Sequence, residues 1–94
     1  MSRVHPGIRR EYAARDILEA AGFEVVRAAG SHGLFDLVAW NRTSLRLIQV
    51  KLNSATVTGA EREAMLLTPA PGLATKEIWS FVSGNTKPTI EVLN

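Results

Sequence analysis

The strongest constraint on this chain is a pair of apolar runs within residues 30–51, GSHGLFDLVAWNRTSLRLIQVK. Residues 34–40 (LFDLVAW) and 45–52 (LRLIQVKL) each read as a strand, and Asn41-Arg42-Thr43-Ser44 is a turn-forming loop short enough to join them as an antiparallel hairpin. Strand side chains alternate between faces, so Gln49 and Lys51 point the same way. Pairing Trp40 with Leu45 sets Asp36 opposite Gln49, and a tighter loop pairing Asn41 with Ser44 keeps that register. A three-residue loop would break it, because a one-residue slip sends every side chain to the other face. In the favoured register Asp36, Gln49 and Lys51 meet on one face. An acid, an amide and an amine gathered on a sheet call for a chemical explanation.

The flanking segments supply a frame. Residues 1–7 read as irregular, ending at Pro6-Gly7, and residues 8–21 as a helix whose buried stripe is Ala14, Ile17, Leu18 and Ala21. Gly22 is its C-terminal stop, with Phe23 packing after it. Arg10 and Glu11 lie one turn before the stripe, so they face the sheet where its apolar cover ends. Residues 23–28 (FEVVRA) form a first strand, and 29–33 a turn with two glycines. Thr58-Gly59-Ala60-Glu61 is a capping box that starts a second helix, expected to carry Ala64, Met65, Leu66 and Leu67 inward until Pro69 and Pro71 end it. Residues 76–83 form a fourth strand, 84–88 a turn and 89–93 a terminal strand. This order predicts an α/β fold in which a three-strand antiparallel meander is extended by a parallel fourth strand, with helices on both sides of a small mixed sheet.

Size and composition narrow the function. Ninety-four residues, 46% of them apolar, make one ordinary globular domain spanning residues 1–94. Nothing approaches a membrane span or a signal peptide, so no membrane role is expected. The chain has no cysteine, which excludes disulfides and thiolate metal sites and fits an intracellular (cytoplasmic) protein. Net charge is only +2, but Arg3, Arg9, Arg10 and Arg15 crowd the N-terminal segment with His5 among them. Arg27, Arg42, Arg46 and Lys51 surround the hairpin, while the C-terminal end, beyond the second helix, adds only Lys76 and Lys87. Such clusters suit phosphate contacts that position nucleic acid without reading its sequence.

With these residues in place, the chain resembles the PD-(D/E)XK nuclease superfamily: an acid in strand two, and a lysine two residues after a polar position in strand three. More narrowly, residues 22–31 (GFEVVRAAGS) followed by 35–39 (FDLVA) resemble the archaeal-type Holliday junction resolvases, over about residues 9–51. The resemblance implies a restriction-endonuclease-like αβββαβ core and a homodimeric, divalent-metal-dependent DNA endonuclease that nicks four-way junctions. It implies Mg²⁺ as cofactor, for which Mn²⁺ substitutes. Glu11 matches the family's helix carboxylate, Asp36 its central metal ligand and Lys51 its catalytic lysine. Arg27 and Ser31 match polar residues flanking the scissile phosphate; apart from the resemblance, Arg9 and Arg10 lie at the same end as Glu11 and are expected as phosphate contacts rather than a plain solvated helix face. Gln49 stands where the family has glutamate, keeping an oxygen for a hard cation but losing the charge.

The chemistry is coherent. Mg²⁺ is a hard cation that takes oxygen ligands, which Glu11, Asp36 and the Gln49 amide offer. An adjacent lysine stabilises negative charge, and an arginine fork holds a phosphate. Each residue alone has a duller reading: Glu11 as a first-turn helix acid, Asp36 as an edge-strand residue, Lys51 as a surface lysine, Arg27 as a polar-face strand residue, Ser31 as a turn former, His32 as a plain loop residue. It is their joint spacing that points to a site. Two other functions compete: a nuclease of this fold acting on flaps, ends or foreign duplex DNA, and a non-catalytic DNA-binding module, to which Gln49 lends support. Trp79, Phe81, Ile90, Val92 and Leu93 are apolar enough either to fill the core or to cover a subunit interface.

Overall fold

The computed structural model describes residues 6–28, 34–52, 57–82 and 87–94, with side chains from residue 10 onward. Its elements are α1 (Pro6–Ala20), β1 (Glu24–Arg27), β2 (Leu37–Trp40), β3 (Leu45–Leu52), α2 (Gly59–Leu67), β4 (Ala74–Phe81) and β5 (Thr89–Val92). The strands form one sheet in the order β1-β2-β3-β4-β5. Only β3 and β4 run parallel, joined across α2; all other neighbours are antiparallel. This is the mixed α/β architecture expected from the sequence.

Helix α1 starts two residues earlier than expected, because Pro6 stands at its first position, where a missing N–H costs nothing and the fixed φ suits the helix. It ends on Gly22 at φ +92, with the Gly22 N–H donating to Glu19 and the Phe23 N–H to Leu18, each at 3.0 Å. This is a Schellman closure, and Phe23 then packs against the cluster containing Leu18. Ala14 and Leu18 are buried, but Ile17 and Ala21 are exposed, against expectation. They fall at the margin of a narrow stripe that follows Glu11, Ala14 and Leu18.

The hairpin turn is held by Asn41. Its Oδ1 accepts the N–H groups of Thr43 and Ser44, and its own N–H donates to the Ser44 carbonyl at 3.0 Å. Trp40 therefore faces Leu45, and the ladder runs to Leu37 opposite Ile48. There it stops, three residues short of the expected start of strand two at Leu34.

One face of the sheet buries Leu37, Ala39, Ile48, Trp79 and Phe81 under Ala14 and Leu18 of α1. On the other face Met65 of α2 packs with Val57 and Ile78, flanked by Leu34, Phe35 and Leu93. The capping box is present in full: Thr58 Oγ1 accepts from the Glu61 N–H and Glu61 Oε1 from the Thr58 N–H. Leu66 and Leu67 are exposed rather than inward, since so short a helix sets only Met65 squarely on the sheet. Lys76, buried on β4, closes the helix end by donating to the Leu66 and Thr68 carbonyls at 2.7 and 2.6 Å. Of the late apolar residues, Trp79 and Phe81 belong to the core, whereas Ile90 and Val92 on edge strand β5 are exposed.

Arg46, counted among the basic residues around the hairpin, is turned inward. Its Nε and Nη2 donate to both carboxylate oxygens of Glu77 at 2.8 and 2.7 Å. Its guanidinium lies over the rings of Phe23 and Trp79. Thr75 Oγ1 and Trp79 Nε1 donate to the same carboxylate. Burial pushes the Glu77 pKa up, but the bonds from Arg46, Thr75 and Trp79 outweigh it and hold it below the ordinary value.

Candidate active site

The described candidate residues Arg10, Glu11, Arg27, Asp36, Gln49 and Lys51 lie toward one end of the sheet, where α1 begins, β1 ends, β2 begins and β3 nears its C-terminus. The parity of β3 sends Ile48 toward α1, and Gln49 and Lys51 toward α2.

Asp36 stands just outside β2. Its N–H donates to the Ile48 carbonyl at 2.8 Å, while its own carbonyl accepts from the Ala28 N–H at 2.9 Å. In a regular antiparallel strand both groups of one residue point to the same neighbour. At Asp36 they part, one to β3 and one toward the end of β1. The direct pairing of Asp36 with Gln49 expected from the turn is therefore absent: the ladder closes one residue before it. The Val50 N–H instead donates to Asp36 Oδ2 at 2.7 Å. The carboxyl is thus drawn to the β3 backbone at Val50. Burial raises its pKa; the Val50 N–H opposes this, the Glu11 charge adds to it, and Lys51 and Arg27 oppose it. These charges place Glu11, Arg27 and Lys51 within electrostatic reach of Asp36.

Glu11 reaches across from α1 to β1, where Arg27 Nε donates to its Oε1 at 2.6 Å. Both side chains are partly buried, and this bond is the main reason the Arg27 pKa is raised. Arg10 diverges from Glu11 and places its guanidinium 6.0 Å from the centre of the Phe81 ring. Arg9 lies in α1, but its side chain falls outside the described residues, as do Ser31 and His32 entirely.

Gln49 is 8% exposed, and its Oε1 is buried without a hydrogen-bond partner among the described residues. An unmet acceptor of this kind costs about 1–3 kcal/mol. It is the feature that best fits a hard cation, which takes neutral carbonyl oxygens alongside carboxylates. Among the described residues no three acidic or imidazole side chains are grouped as a metal site. The expected set of Glu11, Asp36 and Gln49 has only two acids and so falls short of such a group.

Lys51 Nζ lies 3.4 Å from Glu61 Oε2 in the first turn of α2. From the sequence Glu61 is only a helix cap; a capping acid opening the helix that follows the lysine strand is the signal that could have flagged it. The Thr58 N–H, and then Lys51, hold its pKa below the ordinary glutamate value despite opposing desolvation. The shallow depression lined by Gly22, Glu24, Trp40, Asn41 and Arg42 lies at the opposite end of the sheet and is not part of this cluster.

No protein-family model matches this chain, and no curated protein matches it in sequence. Among solved structures it is similar to Archaeoglobus fulgidus Hjc, a Holliday junction resolvase from an archaeal hyperthermophile. The two superpose with a TM-score of 0.78 over 95% of this chain and 74% of that one, at 22% identity. The chain thus shares its mixed α/β fold with that protein.

Proposed function

We propose that this chain is a divalent-metal-dependent endonuclease that cuts four-way DNA junctions. The observation that carries the reading is the Gln49 Oε1, buried and unpartnered among the described residues, on the strand whose Val50 N–H holds the Asp36 carboxyl, at the end of the sheet that also holds Glu11, Arg27 and Lys51. Similarity in fold to a resolvase supports it.

In this reading Asp36, Gln49 and Glu11 hold Mg²⁺ or Mn²⁺. When bound, the ion polarises phosphate oxygens and makes a bound water more acidic. The remaining work falls to the chain's own groups. Lys51 offsets negative charge developing on the phosphate. Arg27 is paired with Glu11 in the free protein, so a DNA phosphate would share or replace that partner through the guanidinium fork. Arg10, with Arg9 and Ser31 as proposed companions, contacts flanking phosphates. These contacts recognise the shape of a junction rather than its bases.

Two-strand cutting calls for two such sites, so the working form is proposed to be a homodimer. Exposed Leu66, Leu67 and Leu73 around the end of α2, and Ile90 and Val92 on edge strand β5, are apolar surface that a second subunit would cover. Among the described residues no helix is long and apolar enough to cross a membrane.

Gln49 favours one alternative, a DNA-binding module of the same fold that does not cut. Incubating the protein with labelled four-way junction, flap and linear duplex, each with Mg²⁺ or Mn²⁺, decides between them. Preferential nicking of the junction supports the proposal. Preferred flap or duplex cutting moves the substrate class, and binding without any cutting selects the alternative.

A further inference from the structure

Lys51 is placed by a residue outside the expected site. Strand β3 carries Gln49 where an acid would sit on the same face as the lysine, so β3 itself gives Lys51 no carboxylate partner. One oxygen of Asp36 is occupied by the Val50 N–H. The carboxylate that Lys51 Nζ touches is Glu61, on α2. Both Glu61 oxygens are engaged, Oε1 by the Thr58 N–H at 3.2 Å and Oε2 by Lys51 at 3.4 Å. The Thr58 backbone N–H, which does not depend on the Thr58 side chain, therefore fixes the carboxylate, and the fixed carboxylate restrains a long, flexible ammonium side chain.

We infer that Glu61 is a positioning residue that holds the Lys51 ammonium for the reaction, supplying from α2 the anchoring charge that Gln49 does not. The inference rests on the nuclease reading for its kinetic consequence, though not for the contact itself. An ordinary surface ion pair contributes little to stability, so the effect belongs in the rate and not in the melting temperature.

Two substitutions separate the roles of this one side chain. Glu61→Gln keeps the cap, because glutamine serves equally in a capping box, and removes the charge facing Lys51. Thr58→Ala removes the side-chain half of the cap and keeps the carboxylate. Glu61→Gln is expected to lower kcat on a four-way junction by about ten- to a hundredfold with KM and Tm little changed. Thr58→Ala is expected to lower Tm while retaining most of kcat. Acylation of Lys51 by a water-soluble amine reagent, read by mass spectrometry, should quicken several-fold in Glu61→Gln, and Mn²⁺ affinity should not move.

Equal kcat and equal Lys51 labelling in Glu61→Gln and the parent would overturn the inference. So would a loss of kcat in Thr58→Ala matching that in Glu61→Gln, which makes the role structural. A loss of Mn²⁺ affinity in Glu61→Gln would make it a metal ligand and also overturn it. If the parent cuts nothing, the nuclease reading fails by itself, and Lys51 labelling still decides whether Glu61 holds the lysine.

Discussion

Asp36 Oδ2 accepts the backbone N–H of Val50 at 2.7 Å, a bond that a strand would ordinarily give to a carbonyl. The side chain completes the ladder that its own backbone has left. That exchange aims an acid at β3 and fixes it there, at the price of burying part of its charge.

The first prediction concerns that charge. The folded-state pKa of Asp36 is raised above its unfolded value, so the folded protein binds the proton more tightly. Asp36 therefore favours folding below the unfolded pKa, and this support is lost as pH rises through the folded pKa. Without metal at neutral pH, Asp36→Asn should melt a few degrees above the parent, and the gap should close below the ordinary aspartate range. Differential scanning calorimetry across pH measures both.

Glu77 should act in the opposite sense. Its folded pKa is lowered, so its contribution is complete above the unfolded pKa and lost as pH falls through the folded value. Glu77→Gln should flatten the acid limb of the stability curve. Glu77→Ala, which strands the Arg46 guanidinium between two rings, should cost about 3–5 kcal/mol in urea unfolding.

Gln49 gives a prediction that separates affinity from stability. Gln49→Glu buries a carboxylate at a position only 8% exposed, so the metal-free variant should melt below the parent. Millimolar Mg²⁺ should raise its Tm by more than it raises the parent's, because a charged oxygen binds the ion more tightly. Thermal shift with and without metal tests both parts.

Much of this was legible in the sequence because local chemistry dictated it. The Asn41 turn set the hairpin register, Gly22 set the end of α1 and the Thr58 box set the start of α2. The parallel β3–β4 pair followed from the intervening helix. What escaped depended on contacts between distant segments. Arg46 reads as a hairpin cation in sequence, and its partner Glu77 lies on a strand far along the chain. The acid within the apolar strand around Trp79 was a hint of such a partner. Ile17, Leu66 and Leu67 matched a helical period, but short helices on a narrow sheet bury less than the period offers. The departure of Asp36 from the ladder has no signature in an apolar run interrupted by one acid.

For the arginines, salt dependence is the discriminating quantity. Each lost phosphate contact should reduce the slope of log K against log salt by about 0.9. Arg10→Gln and Arg27→Gln should each do so for junction binding, while Arg46→Gln should leave the slope alone and lower stability. Fluorescence anisotropy over a salt series reads the slopes.

The central claim is that Asp36 and its neighbours form a metal site that cuts branched DNA. The most direct measurement is strand cleavage of a synthetic four-way junction with Mg²⁺, comparing the parent with Asp36→Asn under conditions where both are shown to bind the junction. The account predicts paired nicks near the branch point from the parent, none with chelator, and none from Asp36→Asn. Bound but uncut junction with the parent, or equal cutting by both proteins, would contradict it.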